Sequence, residues 1–205
     1  MKIVIIGAGG HGKVLAECAR DAGLDVAGFI DQGQIGRKVL GLPVLGGDDD
    51  LAAMKDHGVT GAIVAIGHNP VRAKLAQRIA EAGLDLVSVI SPRAVISPTA
   101  TIGAGTLVMP GAIINADARI GENVIVNTGA IVEHDCTLGD AVHVAPSSTL
   151  CGNVSVGARS FVGAGATVIP GRTIGVDVTV GAGACVVHDL PDSLCATGVP
   201  ARPRG

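Results

Sequence analysis

An aliphatic side chain recurs every six residues, seventeen times without a skip or an insertion: Ile90, Ile96, Ile102, Val108, Ile114, Ile120, Val126, Val132, Leu138, Val144, Leu150, Val156, Val162, Val168, Ile174, Val180 and Val186. Four residues after most of them stands a small side chain, among them Ala94, Ala100, Thr106, Ala112, Ala118, Ala130, Cys136, Ser148, Ser160, Ala166 and Ala184. Six residues is not a whole number of 3.6-residue turns, so no helix can keep such a series on one face. The period fits a parallel β-helix, in which each hexad makes one short strand and one corner.

A second period runs through the first. Gly103, Gly121, Gly139, Gly157 and Gly175 recur every eighteen residues. Three hexads therefore make one coil, and the solenoid is a triangular prism. Glycine at these places is expected to supply corner backbone angles that other residues adopt only with strain. Strands about 4.8 Å apart stack nearly six coils into a rod of roughly 27 Å. The Pro-rich tail, 191–203, is expected to cover one end and the N-terminal region the other.

The first 86 residues follow different rules. Lys2 to Ile6 reads as a buried strand, followed by Gly7-Ala8-Gly9-Gly10-His11-Gly12 and a helical run over 13–22. Further strands are expected over 26–30 and 59–66, with a second helix ending near Ala82. Alternating strands and helices imply a parallel α/β sheet. The glycines satisfy GxGxxG and Asp31 stands where a ribose is gripped in dinucleotide enzymes, which alone suggests NAD. Some 85 residues hold only half of a two-lobed dinucleotide domain, so one mononucleotide-binding half is the better reading. The loop lets a phosphate or sugar approach backbone N–H groups at a helix N-terminus. His11 lies inside it, and His68-Asn69 follows a strand's carboxyl end, where such sheets bind ligands. Asp48-Asp49-Asp50 is expected to start a helix rather than hold a metal.

Composition narrows the function. A net charge of −3 indicates no broad basic surface for nucleic acid. Apolar stretches fall short of a membrane span, so neither insertion nor a leader is expected. Five cysteines with no CxxC pair read as small buried residues in a reducing cytoplasm.

In so regular a repeat, departures mark chemistry. The largest is Glu133-His134-Asp135-Cys136. His134 stands outside the inward positions, with Ala116 and Gly152 one coil away on either side. Small neighbours leave space beside an imidazole suited to proton transfer near neutral pH, and Asp135 can fix its tautomer. His143, half a coil on, lies on a different face and is expected to approach His134 only of a neighbouring subunit. His188-Asp189 is a weaker rival at the rod's end.

These residues, with Asn127-Thr128, Gly152-Asn153-Val154 and Gly198-Val199-Pro200-Ala201, resemble the sialic-acid O-acetyltransferase (NeuD-like) family, and within it the PglD-type and GDP-perosamine-type nucleotide-amino-sugar N-acetyltransferases. The resemblance covers essentially the whole chain. It implies a Rossmann-like nucleotide-sugar domain (1–86), a left-handed parallel β-helix (87–190) and a capping tail (191–205). It also implies a homotrimer with acetyl-CoA held between adjacent prisms, and no metal. By the same resemblance His134 is the general base and Asp135 its acidic partner. His143, Gly152, Ala164 and Ala182 line acetyl-CoA, with Gly152 offering a backbone N–H near the thioester. Gly9, Gly10, His11, Asp31, Gln32 and Gly67 form the nucleotide-sugar site, and Gln32 replaces a second acidic residue of the PglD type. The expected reaction is acetyl transfer to the amino group of a nucleotide-linked sugar. The alternatives are O-acetylation of a sialic acid or other sugar hydroxyl, a non-catalytic scaffold, and an NAD sensor. A scaffold of this kind presents a uniform outer column such as a threonine ladder, and no continuous ladder is expected here.

Overall fold

The computed structural model describes Met1–Arg204. Its contacts divide the chain into two compact units, Met1–Pro92 and Arg93–Gly205, a boundary six residues later than the one expected from the hexads.

In the first unit β1 (Lys2–Ile6) is the middle of a sheet, because its run of Ile and Val is buried on both faces. It pairs in parallel with β2 (Asp25–Ile30) on one side and β5 (Gly61–Val64) on the other. Helix α1 (Gly10–Asp21) follows β1, and α2 (Asn69–Glu81) follows β5. The helix ends are set by glycines that adopt positive φ just beyond them, Gly23 and Gly83. The sheet order is β3 (Lys38–Val39), β4 (Leu42–Gly46), β2, β1, β5 and β6 (Asp85–Leu86). The hairpin of β3 and β4 was not expected. Leu40 and Gly41 both take positive φ, as a two-residue hairpin turn requires, although Leu-Gly is a weak turn signal. Asp48–Asp50 starts a 3₁₀ turn, not an α-helix, and a second 3₁₀ segment spans Ala52–His57.

In the second unit two-residue strands recur once per hexad. Leu107 pairs with Ile125, Ile125 with His143 and His143 with Phe161, each exactly one eighteen-residue coil apart in the chain. The aliphatic series from Val108 to Val186 forms one buried cluster down the axis. Ile96 and Ile102 are only half covered, and Ile90 is exposed, because no hexad precedes it. Thr106 and Ser160 point inward and tie successive coils: each hydroxyl donates to a glycine carbonyl of the next coil and accepts a backbone N–H from it. Beyond Val186 the frame shortens. Thr179 pairs with Cys195, sixteen residues on, so Ala196 takes the inward place. Arg202–Pro203 then folds back antiparallel, which makes the tail the last rung of the coil rather than a separate piece.

The eighteen-residue glycines have a different cause from the one expected. None of the five has a positive φ. A Cβ at Gly103 or Gly157 would lie 2.5–2.6 Å from the backbone of the glycine one coil on. These residues are glycine because stacked backbones touch there. The left-handed corner falls two residues later in every hexad from Gly105 to Gly183, including Asp117, Asn123, Asp135, Asn153 and Asp177. Asn and Asp tolerate that conformation best among residues with side chains.

Candidate active site

His134 stands immediately before one of these left-handed corners, and both sides of the corner are clamped. Asp135 N–H donates to Ala116 O at 3.0 Å, and Asn153 N–H donates to His134 O at 2.9 Å. Asp135, at φ 60°, brings its carboxylate back to the preceding ring, where Oδ2 meets His134 Nδ1 at 2.8 Å. Both side chains remain open to solvent, at 60% and 58% exposure. The hydrogen bond to Asp135, aided by the charges of Asp135 and Glu133, raises the imidazole's proton affinity above the ordinary value. With Nδ1 held by the carboxylate, Nε2 is the atom left to exchange a proton.

Gly152 does not leave a void beside the ring, as the sequence suggested; the ring occupies that place. A Cβ there would fall 2.6 Å from His134 Cε1 and Nε2. The ladder bonds at this corner come from Cys151 and Asn153 N–H, so the Gly152 N–H stays out of the ladder. Nε2 and the free Gly152 N–H thus belong to neighbouring positions of the same corner.

Cys136 is structural. Its thiol donates to Cys151 O at 3.2 Å, the place that Thr106 and Ser160 fill with hydroxyls in other coils. Burial pushes its proton affinity up, which keeps it a thiol.

His143 is buried on another face, with its ring edge-on to Phe161 at 5.1 Å. Asn127 Oδ1 accepts Thr128 N–H at 2.8 Å, which turns Asn127 Nδ2 toward His143 Nε2 at 3.1 Å. Nε2 therefore accepts, and the proton of the neutral ring is on Nδ1. Ala164 and Ala182 are exposed, one coil apart on a corner different from that of His134. One copy of the chain therefore brings together His134, Asp135 and Gly152 but not His143, Ala164 or Ala182.

The ligand edge of the first unit is the carboxyl end of its sheet. Gly7 takes φ 100° and is pressed against Ile66, and a side chain at Gly12 would strike Gly7 O. Gly9 and Gly10 open onto empty space, so a ligand can reach their backbone. Asp31 accepts Ala8 N–H at 2.9 Å, Gly33 N–H at 3.0 Å and Gln34 Nε2 at 3.1 Å. It holds the loop with most of its roughly four acceptor sites and leaves little for a ribose. Gln32 is exposed and lies over Gly47, and Gly67 is exposed at the end of β5. The Nε2 of His11 is buried without a partner.

One residue of this edge, Arg72, was missed, and it pairs with Asn69 of the expected His68-Asn69 turn. Arg72 is fully buried and Asn69 nearly so, and Arg72 Nη1 donates to Asn69 Oδ1 at 2.8 Å. The signal was present: Arg72, Leu75 and Ile79 share one helical stripe, and the other two are buried.

A parallel coil of hexads with a histidine–carboxylate pair at one corner, in one chain with a mononucleotide-binding sheet, defines a hexapeptide-repeat acyltransferase. The family models agree: the PglD N-terminal domain matches residues 2–79, and the bacterial transferase hexapeptide matches residues 99–134 and 117–152. A histidine-to-alanine variant of GDP-perosamine N-acetyltransferase from Caulobacter crescentus, solved with CoA and GDP-perosamine, is 50% identical. It aligns over 100% of this chain and 97% of its own, with a TM-score of 0.97. The acetyltransferase domain of PglB from Neisseria gonorrhoeae, solved with acetyl coenzyme A, is 40% identical over 99% of this chain and 98% of its own, at a TM-score of 0.93. UDP-N-acetylbacillosamine N-acetyltransferase of Bacillus subtilis is 40% identical over 47 residues, covering 23% of this chain and 22% of that protein. The chain spans about a fifth of the length of the curated relatives it matches. It belongs to the PglD- and perosamine-type acetyltransferase family, and its coil is the left-handed parallel β-helix of that family.

Among the described residues no helix is long and apolar enough to cross a membrane, and no cluster of three or more His, Cys, Asp or Glu is arranged to hold a metal ion.

Proposed function

We propose that the chain transfers an acetyl group from acetyl-CoA to the amino group of a nucleotide-linked amino-deoxy sugar, in the synthesis of bacterial surface glycans. The observation that carries this reading is the His134–Asp135 pair with Nε2 lying against Gly152. The amine nitrogen attacks the thioester carbonyl while His134 Nε2 takes its proton. Asp135 stabilises the imidazolium. The Gly152 N–H faces the developing oxyanion. The C–S bond then breaks, and the proton on His134 goes to the departing thiolate of CoA. No covalent enzyme intermediate is required, because a thioester is already activated.

The nucleotide part belongs to the carboxyl edge of the sheet, at Gly9, Gly10, His11, Gln32 and Gly67, with Asp31 holding the loop that meets it. Acetyl-CoA belongs to His143, Gly152, Ala164 and Ala182, which one chain does not gather. A homotrimer supplies them from neighbouring prisms. Support comes from one outward column, Val95, Ile113 and Ile131, aliphatic and incompletely buried in the single chain. A need for acetyl-CoA and five free cysteines support a cytoplasmic location.

His134→Ala is expected to lower kcat by roughly 10²–10⁴-fold, the scale of general-base catalysis, without loss of the trimer. Assays with GDP-, UDP- and dTDP-linked amino sugars beside free sialic acid identify the acceptor. Full activity of the variant, or turnover of sialic acid alone, rejects the proposal.

A further inference from the structure

Arg72 is the largest side chain fully shut off from solvent, and it carries a charge. Burying a cation is unfavourable unless its surroundings compensate. Burial pushes its proton affinity down to about 10, which still leaves it charged at neutral pH. Its Nη1 donates to Ile66 O at 3.2 Å, Gly67 O at 3.3 Å and Asn69 Oδ1 at 2.8 Å. These three acceptors form the turn between β5 and α2. The same turn backs the glycine loop, since Gly7 is pressed against Ile66 and Ala65.

We propose that Arg72 is a positioning residue of the nucleotide-sugar site: it fixes the turn that supports the glycine loop and sets a permanent positive charge beneath the edge that receives a nucleoside diphosphate. The inference rests on the nucleotide-sugar reading above. Its second effect is on His11. Burial and then the charge of Arg72 lower the proton affinity of that imidazole. Asp31 at the end of β2 and His68 in the turn after β5 are the other titratable groups of this edge. Of the three, Arg72 alone bears on His11. His11 is thus biased toward its neutral form beside the glycine loop, with its Nε2 closed off from solvent and without a partner. Arg72 touches no substrate itself, because none of it reaches solvent.

The test compares wild type, Arg72→Met and Arg72→Lys by calorimetric titration with GDP and with UDP, and by NMR titration of the His11 ring. In wild type one nucleotide binds and His11 titrates below the ordinary histidine value. Arg72→Met is expected to bind that nucleotide roughly three- to tenfold more weakly, since the turn must then be ordered at binding. It is also expected to let His11 titrate higher, with KM for acetyl-CoA unchanged. A merely structural arginine would lower stability without a selective loss of nucleotide affinity at unchanged KM for acetyl-CoA. Arg72→Lys keeps the charge without the planar fork, so His11 stays low while binding weakens. If Arg72→Met does not fold, wild-type affinity in Arg72→Lys overturns the clamp, and weaker affinity with a low His11 supports it. Equal binding and an unchanged His11 in folded Arg72→Met overturn this inference alone. Binding of neither nucleotide to wild type overturns the nucleotide-sugar reading along with it.

Discussion

Gly152→Ala should disable the enzyme while sparing the fold. The added methyl would sit 2.6 Å from His134 Cε1 and Nε2, whereas unstrained carbon contacts lie at 3.5–4.0 Å. The imidazole must therefore retreat by about 1 Å, and a displacement of that size costs on the order of 10²-fold in rate. Retreat also pulls Nδ1 from its 2.8 Å bond with Asp135. The fold has little to lose. Gly152 has no positive φ to strain, and the obstructing atoms belong to an exposed side chain free to swing. The ladder bonds of Cys151 and Asn153 and the Gly152 N–H all survive. CoA release measured with a thiol reagent should show kcat down about 10²-fold, with a thermal midpoint close to wild type. Gly157→Ala is the counterpart. Its methyl would lie 2.5 Å from the Gly175 backbone, which cannot swing away. Overpacking of this kind costs about 1–3 kcal/mol, so that variant should lose stability while its folded fraction keeps wild-type kcat. Gly152→Ala with activity within threefold of wild type would refute the placement of the ring against Gly152.

The remaining predictions concern the same corner. A general base must be unprotonated to act, and the hydrogen bond to Asp135 raises the proton affinity of His134. The acidic limb of kcat/KM against pH should therefore lie above the ordinary histidine value of about 6.5, with activity lost as pH falls through it. Asp135→Asn removes the charge and should move that limb to lower pH while reducing kcat; a limb that does not shift would detach Asp135 from the base. Cys136→Ser should keep kcat within about twofold, because Thr106 and Ser160 hold equivalent places with hydroxyls. A large loss of kcat in a folded Cys136→Ser protein would give the thiol a chemical role.

The coil was legible because its constraints repeat. One aliphatic residue per hexad has to face the axis, so the pattern is printed seventeen times, and a departure such as Glu133-His134-Asp135-Cys136 stands out against it. Spacing located the stacked glycines but not their cause, since close approach and positive φ both select glycine. Separating them takes the fourteen left-handed residues from Gly105 to Gly183, where Ala, Ser and Arg appear beside Gly, Asn and Asp. Once the coil imposes the conformation, side-chain identity ceases to report it. The outer columns behave likewise. Thr101, Thr137, Ser155 and Thr173 do share one exposed face, but Arg119 interrupts them, so no uniform ladder forms.

The nucleotide edge was harder to read, because its interactions join residues far apart in sequence. Asp31 is placed at the spacing that suggests a ribose contact, yet two of its three bonds hold the backbone of Ala8 and Gly33. Sequence spacing gives a carboxylate at the mouth of the sheet; it does not say whether the carboxylate meets the ligand or the loop that meets the ligand. Arg72 shows the converse. A lone arginine on a helix reads as solvated, and only its place on the Leu75–Ile79 stripe marks it as buried. A cation on an apolar stripe has lost its water and needs carbonyls to replace it. The carbonyls of Ile66 and Gly67 lie where β5 ends because a parallel strand leaves its last acceptors unpaired at the carboxyl edge. The edge that opens to a ligand is thus also the edge able to solvate a buried charge, and this is why the site and its support occupy the same turn.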